Sequence, residues 1–327
     1  MWRGVWISPT YAAKDAVIHG AHTVVVELAS KKHGCAIRRS ARSPQISIDF
    51  CLRFRPLFVR AGAGGSMATA AIGNSRAVWH VRGTWSARDD RTASVVWLGI
   101  LWVGMIAGFS VDFPRYLHEN PPAPKGILAL HAPVFIVWLL ILTAQVLLVL
   151  NDRVAWHRKL GWFAAGWACL MAVMGPWAAM ASQAVNLHNP PLGDPQFISV
   201  NIVDIGGFLA LLAWGITLRK NPAAHRRMMV LATISLADPG FSRFSSYVIP
   251  AEPASVILWF FWMFYGNALM IVLMLAWDWW RGRLVRSFVV GSAALLAAEY
   301  LASAVYFWGP WKTLTLGWVQ AWARHFA

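Results

Sequence analysis

Charge is scarce in this sequence, and negative charge is scarcest. Asp, Glu, Lys and Arg make up 13% of the 327 residues, against roughly a quarter in a soluble domain. Fourteen acids stand against 29 Lys and Arg. Cysteine is almost missing. Cys35, Cys51 and Cys169 show neither CxxC spacing nor an even, loop-placed set, which excludes a zinc ribbon and a disulfide framework. Cys169 falls in an apolar run and reads as a small packing residue. No Walker-type phosphate loop, HExxH, GxSxG or helix-opening GxGxxG occurs, so soluble-type hydrolase, kinase or dehydrogenase chemistry has no support. Alternating segments of about ten residues, the mark of a membrane β-barrel, are also lacking. The net charge of +15 comes with no basic helix or recognised binding motif, which argues against nucleic acid as a partner. Loops facing anionic membrane lipids account for the cations better.

What the chain has in abundance is apolar surface: 58% of its residues are hydrophobic, and 21 are Trp, many near the ends of long apolar runs. Trp collects at membrane interfaces because its ring is apolar and its N–H is not. Seven runs cover about 94–113, 127–150, 160–183, 198–218, 228–249, 254–277 and 286–308, each near the 20 residues that cross a hydrocarbon core. Backbone groups in lipid must be paired within the segment. The expected fold is therefore an all-α integral membrane protein with seven transmembrane helices over 94–308. Residues 1–93 read as a basic, disordered leader. Within it, Met67 follows a Gly-rich stretch and is expected to be the natural start. Residues 309–327 read as a short tail along the interface.

Lys and Arg set the expected orientation. With the N-terminus inside, the inner segments hold fourteen of them and the outer ones four: Arg115, Lys125, Lys312 and Arg324. The expectation is a bacterial inner-membrane protein with a cytoplasmic N-terminus and an external C-terminus. The inner loops also repeat. Ala155-Trp156-His157-Arg158-Lys159 is echoed by Ala223-Ala224-His225-Arg226-Arg227, and Leu117-His118-Glu119-Asn120-Pro121-Pro122 by Leu187-His188-Asn189-Pro190-Pro191. The histidines recur at 70 residues (188 − 118) and 68 residues (225 − 157). Two spans per unit imply two copies of the same orientation, a parallel repeat about an axis along the membrane normal.

Two groups of residues carry chemistry. His157 and His225 occupy equivalent loop positions beside Arg158, Lys159, Arg226 and Arg227. Facing imidazoles suit axial ligation of haem iron, with the cations on its propionates and Trp156 and Trp162 flanking the ring; the same cations suit a collar for lipid phosphates. His131, one turn into the second run, and His188 form a weaker second pair. The other group is acidic. Asp204, Asp238 and Glu299 lie inside apolar runs, where carboxylates are costly and mark proton or ion routes. Pro239-Gly240 follows Asp238 and should break its helix, freeing backbone carbonyls; Arg243 is its natural counter-charge. Asn201, Gln145 and Asn267 read as interhelical hydrogen-bond partners.

At Leu130-His131-Ala132-Pro133, Trp156-His157-Arg158-Lys159-Leu160-Gly161 and Ala224-His225-Arg226-Arg227-Met228, with Leu231-Ala232-Thr233-Ile234-Ser235 following, the chain resembles a group of bacterial inner-membrane proteins built as small helical bundles, whose activity is not settled. It is more loosely similar to cytochrome b561-like bundles, which hold haem between histidines on four helices. That second likeness implies b-type haem at His157 and His225, with electrons passed to or from quinone. The acidic group implies instead a proton- or ion-coupled transporter. A third reading is a non-enzymatic membrane scaffold or sensor.

Overall fold

The computed structural model describes residues 78–80, 87–111, 126–187, 194–245 and 254–326. In chain order they form β1 (Val78–His80), α1 (Ala87–Ser110), α2 (Ile127–Leu150), α3 (Val154–Asn186), a 3₁₀ turn (Pro195–Phe197) leading into α4 (Ile198–Thr217), α5 (Pro222–Ile234), α6 (Asp238–Phe241), a 3₁₀ turn (Ser242–Phe244), α7 (Val256–Trp280), β2 (Arg283–Val285), α8 (Arg286–Tyr306) and α9 (Gly309–Phe326). All belong to the unit Ser66–Ala327.

Among the described residues, six helices are long and apolar enough to cross a membrane: α1 from Asp90, α2, α3, α4 with its leading turn, α7 and α8. The share of each span window buried in the protein is 22–44%. The rest is apolar surface, such as Val103, Leu130, Val272 and Leu301, all more than half exposed. Water would not tolerate such a surface, and lipid solvates it. The chain is a helical multi-pass membrane protein.

The expected fifth run, 228–249, is not one helix. It divides into α5 and the four-residue α6. Pro239 has no N–H, and its ring would meet the carbonyl of Ser235 if α5 continued. Ser235 marks the break, its Oγ donating to the carbonyls of Ala232 at 2.8 Å and Asp204 at 3.3 Å. α5 has a well-made start: Pro222 follows the N-cap Asn221, whose side chain accepts from the Ala224 N–H at 3.3 Å.

Small residues hold the broken segment in place. A methyl group on Gly108 of α1 would lie 1.9 Å from the Gly240 carbonyl oxygen, and one on Gly104 would lie 2.1 Å from the Phe241 ring. On the other side, a methyl on Gly266 of α7 would lie 2.2 Å from Phe241 Cβ. α6 is thus wedged between α1 and α7 at distances only glycine permits. The main core joins α1, α2, α4, α5, α7 and α8 around Leu101, Trp138, Phe208, Leu231, Ile271 and Phe288. Trp138 stands edge-on to Phe208 at 4.8 Å and donates to Thr233 Oγ1 at 3.2 Å. α9 packs back on α3 through Trp322 and Trp177, 5.6 Å apart, and leaves Leu314 and Trp318 exposed. Cys169 also differs from expectation: it is exposed on the outside of α3.

Candidate functional site

Three helices bring polar side chains to one depth. Asp204 on α4, Asn267 on α7 and Glu299 on α8 each stand about 13 residues, or ~20 Å of helical rise, from the basic end of their own helix. Asp238 joins them because α5, starting at the same end, stops just before it. The result is a polar layer inside an apolar bundle. Asp238 and Glu299 are 1% exposed, Asn267 is fully buried and Asp204 is 9% exposed.

The layer is rich in acceptors and poor in donors. Asn267 Nδ2 donates to Glu299 Oε1 at 2.9 Å. Among the described residues, no donor reaches either carboxyl oxygen of Asp238, Glu299 Oε2 or Asn267 Oδ1. The carboxyls of Asp204 and Asp238 come within hydrogen-bonding reach of each other. Two carboxylates so placed repel when both are ionised, and a proton shared between them would relieve the repulsion. Arg243, the expected counter-charge, acts electrostatically on Asp238. Its guanidinium donates to the Pro239 carbonyl and lies 4.0 Å from the centre of the Phe109 ring. A backbone carbonyl beside the helix break is therefore already occupied. Among the described residues, no three His, Cys, Asp or Glu side chains are grouped to hold a metal ion.

The two loop histidines also meet. The rings of His157 and His225 lie 6.3 Å apart at 87°. At that separation ring nitrogens come no closer than about 4 Å, outside hydrogen-bond range. His225 Nδ1 donates to the Gly215 carbonyl at 2.8 Å. Gln145 reaches His157 from α2. With its amide oriented to accept from the Gly161 N–H at 2.9 Å, its nitrogen faces the His157 carbonyl at 3.1 Å and Nδ1 at 2.5 Å. Each ring is thus anchored through Nδ1. Burial lowers the His225 pKa below its ordinary value and Arg226 adds to this, while the Gly215 hydrogen bond opposes both.

The cations assigned to this pair do other work. Arg227 holds Asp278 of α7 in a fork, Nε to Oδ2 at 2.5 Å and Nη2 to Oδ1 at 2.7 Å, and also donates to Asp90 of α1 at 2.9 Å. Arg226 donates to the other Asp90 oxygen at 2.6 Å, and Arg283 of β2 lies 3.7 Å from it. Buried charges need partners of opposite sign, and Asp90 and Asp278 claim these arginines before any external anion can. Of the flanking tryptophans, Trp162 is 82% exposed, and Trp156 is covered by Lys159 Nζ at 4.9 Å. His131 Nδ1 contacts the Leu128 carbonyl of its own helix at 2.7 Å. His118 and His188 lie outside the described residues.

Sequence reasoning missed Asp90, Asp278 and Arg283 entirely, because each sits at the end of an apolar run and looks like ordinary flanking charge. No family model matches the chain, and no curated protein or solved structure matches it.

Proposed function

We propose that the protein is an ion-coupled carrier of the membrane, with its ion-handling site at Asp204, Asp238 and Glu299 beside the break in the fifth crossing. The observation that carries this reading is the set of buried acceptors that have no donor among the described residues. Intramembrane carboxylates are expensive to keep, and helix breaks at mid-depth are where carriers bind and release their cargo. Counting α5 and α6 as one broken crossing makes seven, with the N-terminus cytoplasmic and the C-terminus outside, in keeping with the distribution of Lys and Arg. A parallel duplication of α2–α3 as α4–α5 accords with His157 and His225 meeting at the basic end. Currents on a solid-supported membrane test the carrier reading. Proteoliposomes should give transient currents on solute or ion jumps, and Asp238→Asn should abolish them. Records identical to empty liposomes for every jump would refute it.

A second reading, b-type haem between His157 and His225, draws on the 6.3 Å approach of the two anchored rings. A Soret band in protein purified from cells supplied with haem, lost in His225→Ala, is its test.

A further inference from the structure

Resting on the carrier reading, the geometry points to a proton as the ion handled at Asp204, Asp238 and Glu299. A hard cation such as sodium is held by six or so converging oxygens, many of them backbone carbonyls. At this break the Pro239 carbonyl already receives the Arg243 guanidinium, and three acids do not converge as a metal site requires. The acceptors instead need hydrogens. Asp238 is buried with neither carboxyl oxygen satisfied by a donor among the described residues, and a proton shared with the neighbouring Asp204 carboxyl would relieve both. Glu299 has one neutral donor, Asn267, for two oxygens; an ionised carboxylate so placed would need a cation beside it.

Among the described residues, the charged and titratable groups around Asp238 are few. α4 brings Asp204, α8 brings Glu299 and its own segment brings Arg243. α7 brings Asn267 and Tyr265, whose hydroxyl donates to the Phe241 carbonyl at 2.9 Å. α1 presents Gly104, Met105 and Gly108. A proton taken up or lost by Asp238 changes the charge at the junction of α5 and α6, beside the Pro239-Gly240 turn.

Two measurements on the full chain test this. On a solid-supported membrane, a pH jump should give a transient current, while replacing choline chloride by NaCl at constant pH and ionic strength should give none. The reverse pattern overturns the proton assignment and leaves the carrier reading standing; silence to every jump removes both. The second uses the unaltered protein. Dicyclohexylcarbodiimide reacts with carboxyl groups that carry a proton. The adduct, mapped by mass spectrometry, should fall on Asp204, Asp238 or Glu299 and diminish as pH rises, without protection by NaCl. Protection by NaCl, or no adduct on any of the three, overturns the inference.

Discussion

The Arg227 clamp offers the most direct test of how this bundle is held together. Arg227 is 8% exposed, and it makes two bonds to Asp278 and one to Asp90. The side chains of those acids are 5% and 3% exposed. In Arg227→Met, Asp278 loses both its guanidinium bonds and Asp90 loses one. Removing one member of a buried ion pair costs ~3–5 kcal/mol, because the partner's charge stays behind uncompensated. Arg227→Lys keeps the charge but cannot make three bonds in a fixed plane, and it should cost ~2 kcal/mol, the worth of one charge-assisted hydrogen bond. Arg226, its neighbour in the motif, has a side chain 27% exposed and a single bond to Asp90. Arg226→Ala should cost ~1 kcal/mol, close to a surface pair. In Arg227→Met with Asp278→Leu no charge is stranded at Asp278, and Asp90 retains Arg226. The double variant should be more stable than the summed single changes predict by ~2 kcal/mol or more. SDS-driven unfolding in mixed micelles, followed by Trp fluorescence, measures all four. The reasoning fails if Arg226→Ala costs as much as Arg227→Met, or if the double variant is additive.

The glycine wedge makes a contrast between positions that look alike in sequence. Gly108→Ala puts a methyl against the backbone of Gly240, which cannot rotate away, and should cost ~2–3 kcal/mol or more. Gly99→Ala, with nothing within 4 Å, should be neutral or stabilise by up to ~1 kcal/mol; thermal unfolding in detergent separates the two. Stability should also depend on pH through His225, whose folded pKa is lowered chiefly by burial. The unfolded chain then takes up a proton below about pH 6.5 that the folded chain refuses. Stability should therefore fall as pH drops through 6.5 and level off below the folded value. His225→Gln should reduce that slope, and an unchanged slope would place the titration elsewhere.

Much of the architecture was legible in the apolar runs. Length and hydropathy alone specify helices in lipid, and six runs became long helices with boundaries shifted by a few residues. α1 starts early, at Ala87, and so does α3, which begins at Val154 and absorbs the His157 loop motif into its first turns. Asp204, Asp238 and Glu299 were individually legible because a carboxylate in an apolar run is conspicuous. That they share a depth was not, since it depends on where each helix starts. The rings of His157 and His225 came together, yet Arg226 and Arg227 did not stay with them. Arg226 and Arg227 look equivalent to Arg158 and Lys159 in sequence, but only the former pair faces Asp90 and Asp278. Partner choice of that kind is settled by packing between α1, α5 and α7, and no local spacing encodes it.

The segment from Pro222 to Phe244 joins two regions of opposite mechanical character. Its first half is locked: α5 is hydrogen-bonded throughout, buried at Met228, Leu231 and Ile234, and clamped by Arg227. Its second half begins at Ser235, where the helix is broken, and runs through four helical residues held by close backbone packing. Asp238, at the junction, keeps its carboxyl among acceptors that need a proton. A carrier must move something while keeping its fold, and the least costly element to move has few fixed hydrogen bonds and a charge state that can change. That identifies α6 and its flanking turns. Native-state hydrogen exchange reads this directly, since protection tracks the free energy of local opening. Amides from Leu236 to Phe244 should exchange at least tenfold faster than those from Met228 to Ile234. The difference should change with pH, since the carboxyl at the junction can gain or lose its charge. Equal protection across Ser235, or a difference insensitive to pH, would mean that the break is a rigid structural kink and that the acids merely order it.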